Sequence, residues 1–273
     1  MINLSRIAQH KLETQPYQWA MIDKLFSPAD SAALVTTYPH DQFKTVAGYD
    51  GEKGYEYESR ALVHMGSNQT ANPENLSSVW RQLAEDLVSP AYRQAMSKLT
   101  GIDLTAVAIE INVFHYGAGS WLGPHLDLKD KIVTHVLYFN DEWNAEDGGC
   151  LTILRSSEMS DVAAVIQPVI GNSAVLVRSE KSWHAVSRVV ADCHRSRRSM
   201  TVTFYCDDSI STMWPPGDQT PLHDYREKKP AQSVWDKLRD KFFKHSVNRR
   251  CFQPRRQTFA DRFATGRGQD MER

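Results

Sequence analysis

Tyr116-Gly117-Ala118-Gly119-Ser120-Trp121-Leu122-Gly123-Pro124-His125-Leu126-Asp127 follows the run Ala106-Val107-Ala108-Ile109-Glu110-Ile111-Asn112-Val113-Phe114. The earlier run is dense in β-branched and apolar residues and predicts a half-buried strand. The glycine-rich stretch then predicts a turn that delivers His125 onto a new strand. Positions i and i+2 of a strand share a face, so His125 and Asp127 can offer an imidazole and a carboxylate to one metal ion. In a chain with ten histidines an isolated His-x-Asp is more often a surface turn, and the pair needs support from elsewhere.

That support lies 59 residues on, in Ser182-Trp183-His184-Ala185-Val186. A turn and apolar strand precede it (residues 171–178), and an alternating strand follows it (residues 198–205). A lone histidine beside a tryptophan is usually a satisfied structural residue. Placed between two strands that can flank the His125 strand, His184 becomes a candidate third ligand. Two imidazoles and a carboxylate suit non-haem iron with open coordination positions. A cation for an acidic co-substrate would complete such a site. Arg198 shares a strand face with Met200, Val202 and Phe204, which predicts that it points into a barrel and holds a carboxylate through its fork. Arg197 is the alternative, Arg188 and Arg195 are nearby rivals, and a run such as Arg195-Ser196-Arg197-Arg198 is usually a solvated turn.

Taken together, YGAGSWLGPHLD, VTHVLYFNDEWNAEDGGCLTIL, GNSAVLVRSEKSWHAVSRV and RRSMTVTFY resemble the Fe(II)/2-oxoglutarate-dependent dioxygenases of the prolyl-4-hydroxylase-like type. The likeness covers roughly residues 106–206, with a looser match over 15–65. It implies a mainly β, α+β fold: a double-stranded β-helix (jelly-roll) core buttressed by N-terminal helices. It also implies Fe(II), 2-oxoglutarate and O2 as cofactors and co-substrates, with ascorbate as a supporting reductant. His125, Asp127 and His184 carry over as iron ligands and Arg198 as the partner of the distal carboxylate of 2-oxoglutarate. Tyr138 matches a position from which some members reach that carboxylate, and Gly148-Gly149 matches the pair that opens the next core strand. The implied reaction couples decarboxylation of 2-oxoglutarate, to succinate and CO2, with hydroxylation of a C–H bond. A carboxylate at position 127 favours hydroxylation over halogenation, for which relatives carry a small residue there.

Composition agrees with a globular enzyme: 41% hydrophobic and 24% charged residues are ordinary values. No apolar run approaches the roughly 18 residues of a membrane span, and the first ten residues lack a long apolar core, so no secretory leader is expected. Cys150, Cys193, Cys206 and Cys251 are scattered without a CxxC pair, which fits a reducing cytoplasm.

Residues 1–210 are read as one catalytic domain, with support in 1–105 and core in 106–210, and residues 211–273 as a basic, partly helical extension. Within the support, residues 19–26 predict a strand or a strand-turn entry and Ser27-Pro28 the start of a helix. Residues 43–67 predict strands joined by a loop, and residues 76–100 a helical segment broken at Pro90. Residues 225–273 carry 14 Lys+Arg against 6 Asp+Glu. Such a tail can bind nucleic acid, but the preferred reading is a helix over 234–245 packed on the acidic remainder of the chain. Its aromatic residues Phe252, Phe259 and Phe263 suit packing against a second subunit in a homodimer.

The expected substrate is a small molecule, amino-acid-like or otherwise polar, with a peptidyl residue as the rival. Asn112, Trp121 and Trp214 are the candidate substrate-binding residues, with Glu110 on the same strand face as Asn112. Neither a membrane nor a nucleic acid is an expected partner.

Overall fold

A computed structural model of the chain describes residues 1–49 and 54–227. The helix expected over 234–245 and the aromatic residues of the tail lie outside these described residues. No helix among them is long and apolar enough to cross a membrane.

Among the described residues four α-helices pack along one side of the sheet: α1 (Leu4–Gln9), α2 (Pro28–Thr36), α3 (Ser78–Val88) and α4 (Pro90–Thr100). Ser27 caps α2 through its hydroxyl, which accepts the Asp30 N–H, and Pro28 takes the first helical position. The break expected at Pro90 is complete. Ser89 ends α3, and its hydroxyl accepts the Tyr92 N–H to begin α4, because proline lacks the N–H that a continuous helix would need there.

Eleven strands among the described residues form a nearly closed antiparallel sheet, jelly-roll in character. They are β1 (Trp19–Ile22), β2 (Lys44–Tyr49), β3 (Gly54–Val63), β4 (Ala108–Tyr116), β5 (Trp121–His125), β6 (Lys131–Tyr138), β7 (Leu151–Leu154), β8 (Val162–Ile166), β9 (Ser173–Val177), β10 (His184–Val186) and β11 (Arg197–Tyr205). Of the two alternatives for residues 19–26 the strand-turn entry is found: β1 ends at Ile22, and Lys24, with a φ of 56°, turns the chain toward α2. The strand order is β1-β9-β6-β11-β4-β3-β5-β10-β7-β8, with β2 paired to β3. β3 is the fold line: residues 58–63 pair with β4, while Tyr55 and Glu56 pair with β5.

Two apolar clusters occupy opposite faces of the major layer. Ile109, Ile111, Val113, Met200, Val202 and Phe204 pack outward against the helices, where Trp80, Leu83, Leu87 and Met96 are fully buried. Phe114, Tyr116, Val136, Tyr138 and Leu176 point inward and meet Leu151, Ile153 and Val186 of the minor layer. β4, β6, β9 and β11 are therefore covered on both faces, and this decides how the alternation of β11 must be read.

Two buried histidines sit on the outward, helix-facing side of this layer. His135 is fully buried, with Nδ1 2.9 Å from the Tyr92 hydroxyl. Burial pushes its pKa down to about 3, and burial first of all does the same to His115, also to about 3. The folded chain thus takes up these protons only near pH 3, whereas the unfolded chain takes them up near 6.5. The stability they contribute is present above pH 6.5 and lost as pH falls toward 3, about 2–3 kcal/mol per histidine by pH 4.5. The thermal midpoint should drop steeply between pH 6.5 and 4.5. In His135→Gln, whose amide oxygen can still accept from Tyr92, the slope of midpoint against pH should be shallower.

Candidate metal and co-substrate site

His125 closes β5, and His184 opens β10 directly opposite it in the antiparallel pair. Their rings lie with centroids 4.2 Å apart. Asp127 is not on the strand, as the i, i+2 reading expected; it lies in the loop that follows. That loop is held by Arg178 Nε, which donates to the Asp127 carbonyl, and by the Lys131 N–H to Leu128 carbonyl bond. One donor atom from each of His125, Asp127 and His184 lies within 4.8 Å of the other two, and all three residues are buried.

The imidazoles are oriented for coordination. Nδ1 of His125 donates to the Gly123 carbonyl at 2.9 Å, and Nδ1 of His184 to the Ser182 carbonyl at 2.9 Å. Each ring then carries its lone pair on Nε2, the tautomer a metal ligand requires. Asp127 accepts from Lys131 Nζ at 2.8 Å and from Thr134 Oγ1 at 2.8 Å. Burial opposes its ionisation, but the Lys131 ammonium, with the His184 and His125 rings when they are protonated, prevails and holds the carboxyl well below the usual range. The donor set fits a divalent metal ion of the iron type.

A cavity of about 120 Å³ extends from this cluster between the layers. From β11 it is lined by Arg197, Ser199, Thr201, Thr203 and Tyr205, so the inward face is the polar one. This corrects the expectation for Arg198, which shares the outward, helix-facing parity of Met200, Val202 and Phe204. Its guanidinium lies 5.5 Å from the centre of the Tyr38 ring, away from the cavity. The reading failed because apolar residues on a strand covered on both faces mark the packed side, not the side that encloses a polar site.

Arg197 is 2% exposed, with its guanidinium carbon 4.7 and 5.3 Å from the ring centres of Tyr116 and Tyr138. Nη1 donates to Ser199 Oγ at 2.6 Å. Arg197 Nε and the Tyr138 hydroxyl are buried without a hydrogen-bond partner, a costly arrangement unless a ligand supplies acceptors.

Gly149 makes room for this arginine, and Gly148 for the Arg188 backbone. A Cβ at Gly149 would meet Arg197 Cδ at 3.4 Å, and one at Gly148 would lie 2.0 Å from the Arg188 carbonyl oxygen. With φ at 69°, Gly148→Ala combines backbone strain with a clash. It should cost about 2–4 kcal/mol of stability, read as a lowered midpoint in denaturant unfolding.

At the other end of the cavity Asn112 lines the wall beside Glu110. Trp214 and Trp121 do not line the cavity. The Trp214 indole N–H donates to Asn112 Oδ1 at 2.7 Å from behind, and Thr212 and Met213 of the same segment supply the lining. Trp121 alternates with Leu122, which faces inward, and its ring stacks under Arg188 at 3.5 Å. Sequence reading missed Lys131, Thr134, Ser199 and Tyr205. Each joins the site through strand register, which no local spacing discloses.

Residues 111–206 match the family model of the 2OG-Fe(II) oxygenase superfamily. This segment is a 2OG-Fe(II) oxygenase domain. The oxygenase family acts with Fe(II), 2-oxoglutarate and O2, and the His125-Asp127-His184 cluster is a site that could bind the iron. Among solved structures, a Pseudomonas putida prolyl-4-hydroxylase is 21% identical, over 74% of this chain and 96% of that one, with a TM-score of 0.47. A 2OG-Fe(II) oxygenase family oxidoreductase from Burkholderia pseudomallei is 18% identical, over 74% and 91%, with a TM-score of 0.49. The alpha-ketoglutarate-dependent epimerase SnoN from nogalamycin biosynthesis is 13% identical, over 85% and 96%, with a TM-score of 0.46. No curated protein matches this chain in sequence.

Proposed function

We propose that the chain hydroxylates an unactivated C–H bond of a small polar molecule, with coupled conversion of 2-oxoglutarate to succinate and CO2. In this reading His125, Asp127 and His184 hold Fe(II). Arg197 takes the distal carboxylate of 2-oxoglutarate with help from Tyr138 and Ser199. The observation that carries the reading is the place of two buried, unpartnered donors, Arg197 Nε and the Tyr138 hydroxyl, beside the cavity that the three metal donors line, whereas Arg198 Nε, also unpartnered, lies on the Tyr38 side. A carboxylate satisfies both donors at once, and the guanidinium fork suits its geometry.

Fe(II), when bound, supplies oxygen activation coupled to oxidation of the keto acid. The chain's own residues bind and orient. Lys131 and Thr134 fix the Asp127 carboxylate, the two backbone carbonyls fix the imidazole tautomers, and the apolar wall of Leu151, Leu176 and Val186 limits water. A small substrate is supported by the segment that closes one side of the cavity, residues 211–218. Ser211 is tied to Glu110, Trp214 to Asn112, and Asp218 and the Met213 carbonyl to Lys44.

Oxygen-dependent succinate release by the Fe(II)-loaded chain, screened against metabolites and against proline-containing peptides, tests the proposal. Stimulation by metabolites is expected. Stimulation by peptides alone would overturn the small-molecule half, and no succinate under any condition would overturn the whole.

A further inference from the structure

Two carboxylates line the cavity, Asp127 and Glu110. Asp127 is matched by Lys131. Glu110 is only 1% exposed, yet no Lys, Arg or His among the described residues forms an ion pair with it.

Its neighbours are neutral donors whose directions can be assigned. The Trp214 indole can only donate, and it donates to Asn112 Oδ1, which turns Asn112 Nδ2 toward Glu110 Oε2 at 3.2 Å. Ser211 Oγ accepts the Trp214 backbone N–H at 2.8 Å, so its own proton is directed to Glu110 Oε1. The Tyr205 hydroxyl donates to Oε2 at 3.2 Å. Burial first, and then the Glu110 charge, push the Tyr205 phenol well above its usual range and keep it a donor. Three donors converge on one carboxyl group, the pattern of an ionised acceptor. An ionised carboxylate has about four acceptor sites, so one, on Oε1, is left over.

A buried charge without a counter-charge is costly. Arg197 pairs with Tyr116 across β11 and β4, and Thr203 pairs with Glu110. Six residues of strand, roughly 20 Å, therefore separate the uncompensated cation from the uncompensated anion. We propose that Glu110 anchors a cationic group of the substrate, an ammonium or guanidinium, at the end of the cavity remote from Arg197. The chain is then selective for small molecules that carry positive charge. The reaction in this inference rests on the oxygenase reading above, but the binding preference can be measured without turnover.

Calorimetric titration of the full chain, loaded with Mn(II) and an inert 2-oxoglutarate mimic, tests it with matched pairs. Suitable pairs are L-lysine with 6-hydroxy-L-norleucine, L-arginine with L-citrulline, and L-leucine with its 2-hydroxy acid. In at least one pair the cationic member should bind tenfold or more tightly. Glu110→Gln should abolish that preference, read as equal affinity for the two members of the pair. Ser211→Ala, which removes one tie to the 211–218 segment, should retain it. Absence of a cationic preference in every pair overturns the proposal, as does absence of binding by any member. It is also overturned if Glu110→Gln weakens both members equally, or if Ser211→Ala abolishes the preference. Failure of the oxygenase reading shows separately, as absence of succinate from the Fe(II)-loaded chain.

Discussion

Arg197→Ala should raise the 2-oxoglutarate concentration for half-maximal turnover about 30- to 100-fold, while Arg198→Ala should leave it within about threefold. The first figure corresponds to losing roughly 2–3 kcal/mol of charge-assisted hydrogen bonding. The second follows from Arg198 facing Tyr38 on the helix side of β11. Arg197→Lys should fall between the two, since it keeps the charge and loses the fork. The measurement is the dependence of succinate release on 2-oxoglutarate, with kcat and KM separated. An unchanged KM in Arg197→Ala, or a large rise in Arg198→Ala, would return the role to Arg198. Thermal unfolding of each variant distinguishes loss of binding from loss of fold, because Arg197 also packs against Tyr116 and Tyr138.

Asp127→Ala is expected to have the largest effect on activity. It removes an anionic donor and also strands the Lys131 ammonium, 2.8 Å from where the carboxylate oxygen stood, beside the metal position. A stranded cation repels a divalent ion, so metal binding should suffer more than from His184→Ala, which deletes a neutral ligand. Iron content after anaerobic loading should fall below about a tenth of wild type, since affinity depends on the full ligand set. Succinate release should fall by about three orders of magnitude, the several kcal/mol a bound metal contributes. The double variant Asp127→Ala/Lys131→Met should regain part of the metal affinity by removing the repulsion. Equal iron content in Asp127→Ala and wild type would remove Asp127 from the metal site.

Much of the oxygenase fold was legible because it is written in short-range signals. The β-branched run before the glycine turn gave β4, Ser27-Pro28 began α2, and Pro90 divided α3 from α4, each through a local property of the backbone. The order of His125, Asp127 and His184, with turns and strands between them, was legible for the same reason. The side on which Arg198 lies was not. Alternation along β11 separates two faces but does not say which is inside, and both faces are buried in this sheet. Trp121 posed the same problem on β5, where the inward direction is set by pairing with β3 and β10.

The amino-acid sequence by itself determined which residue types are available for a metal and in what order they arrive, since strand, turn and cap preferences act within a few residues. Tertiary structure alone decided which arginine lines the cavity beside the three metal donors, that Lys131 and Thr134 hold Asp127, and that Glu110 lies buried without an ion pair among the described residues. Those facts depend on register between strands far apart in the chain and on helices covering the outer face of the sheet. Both are long-range consequences of burying two apolar clusters at once, and no window of neighbouring residues contains them.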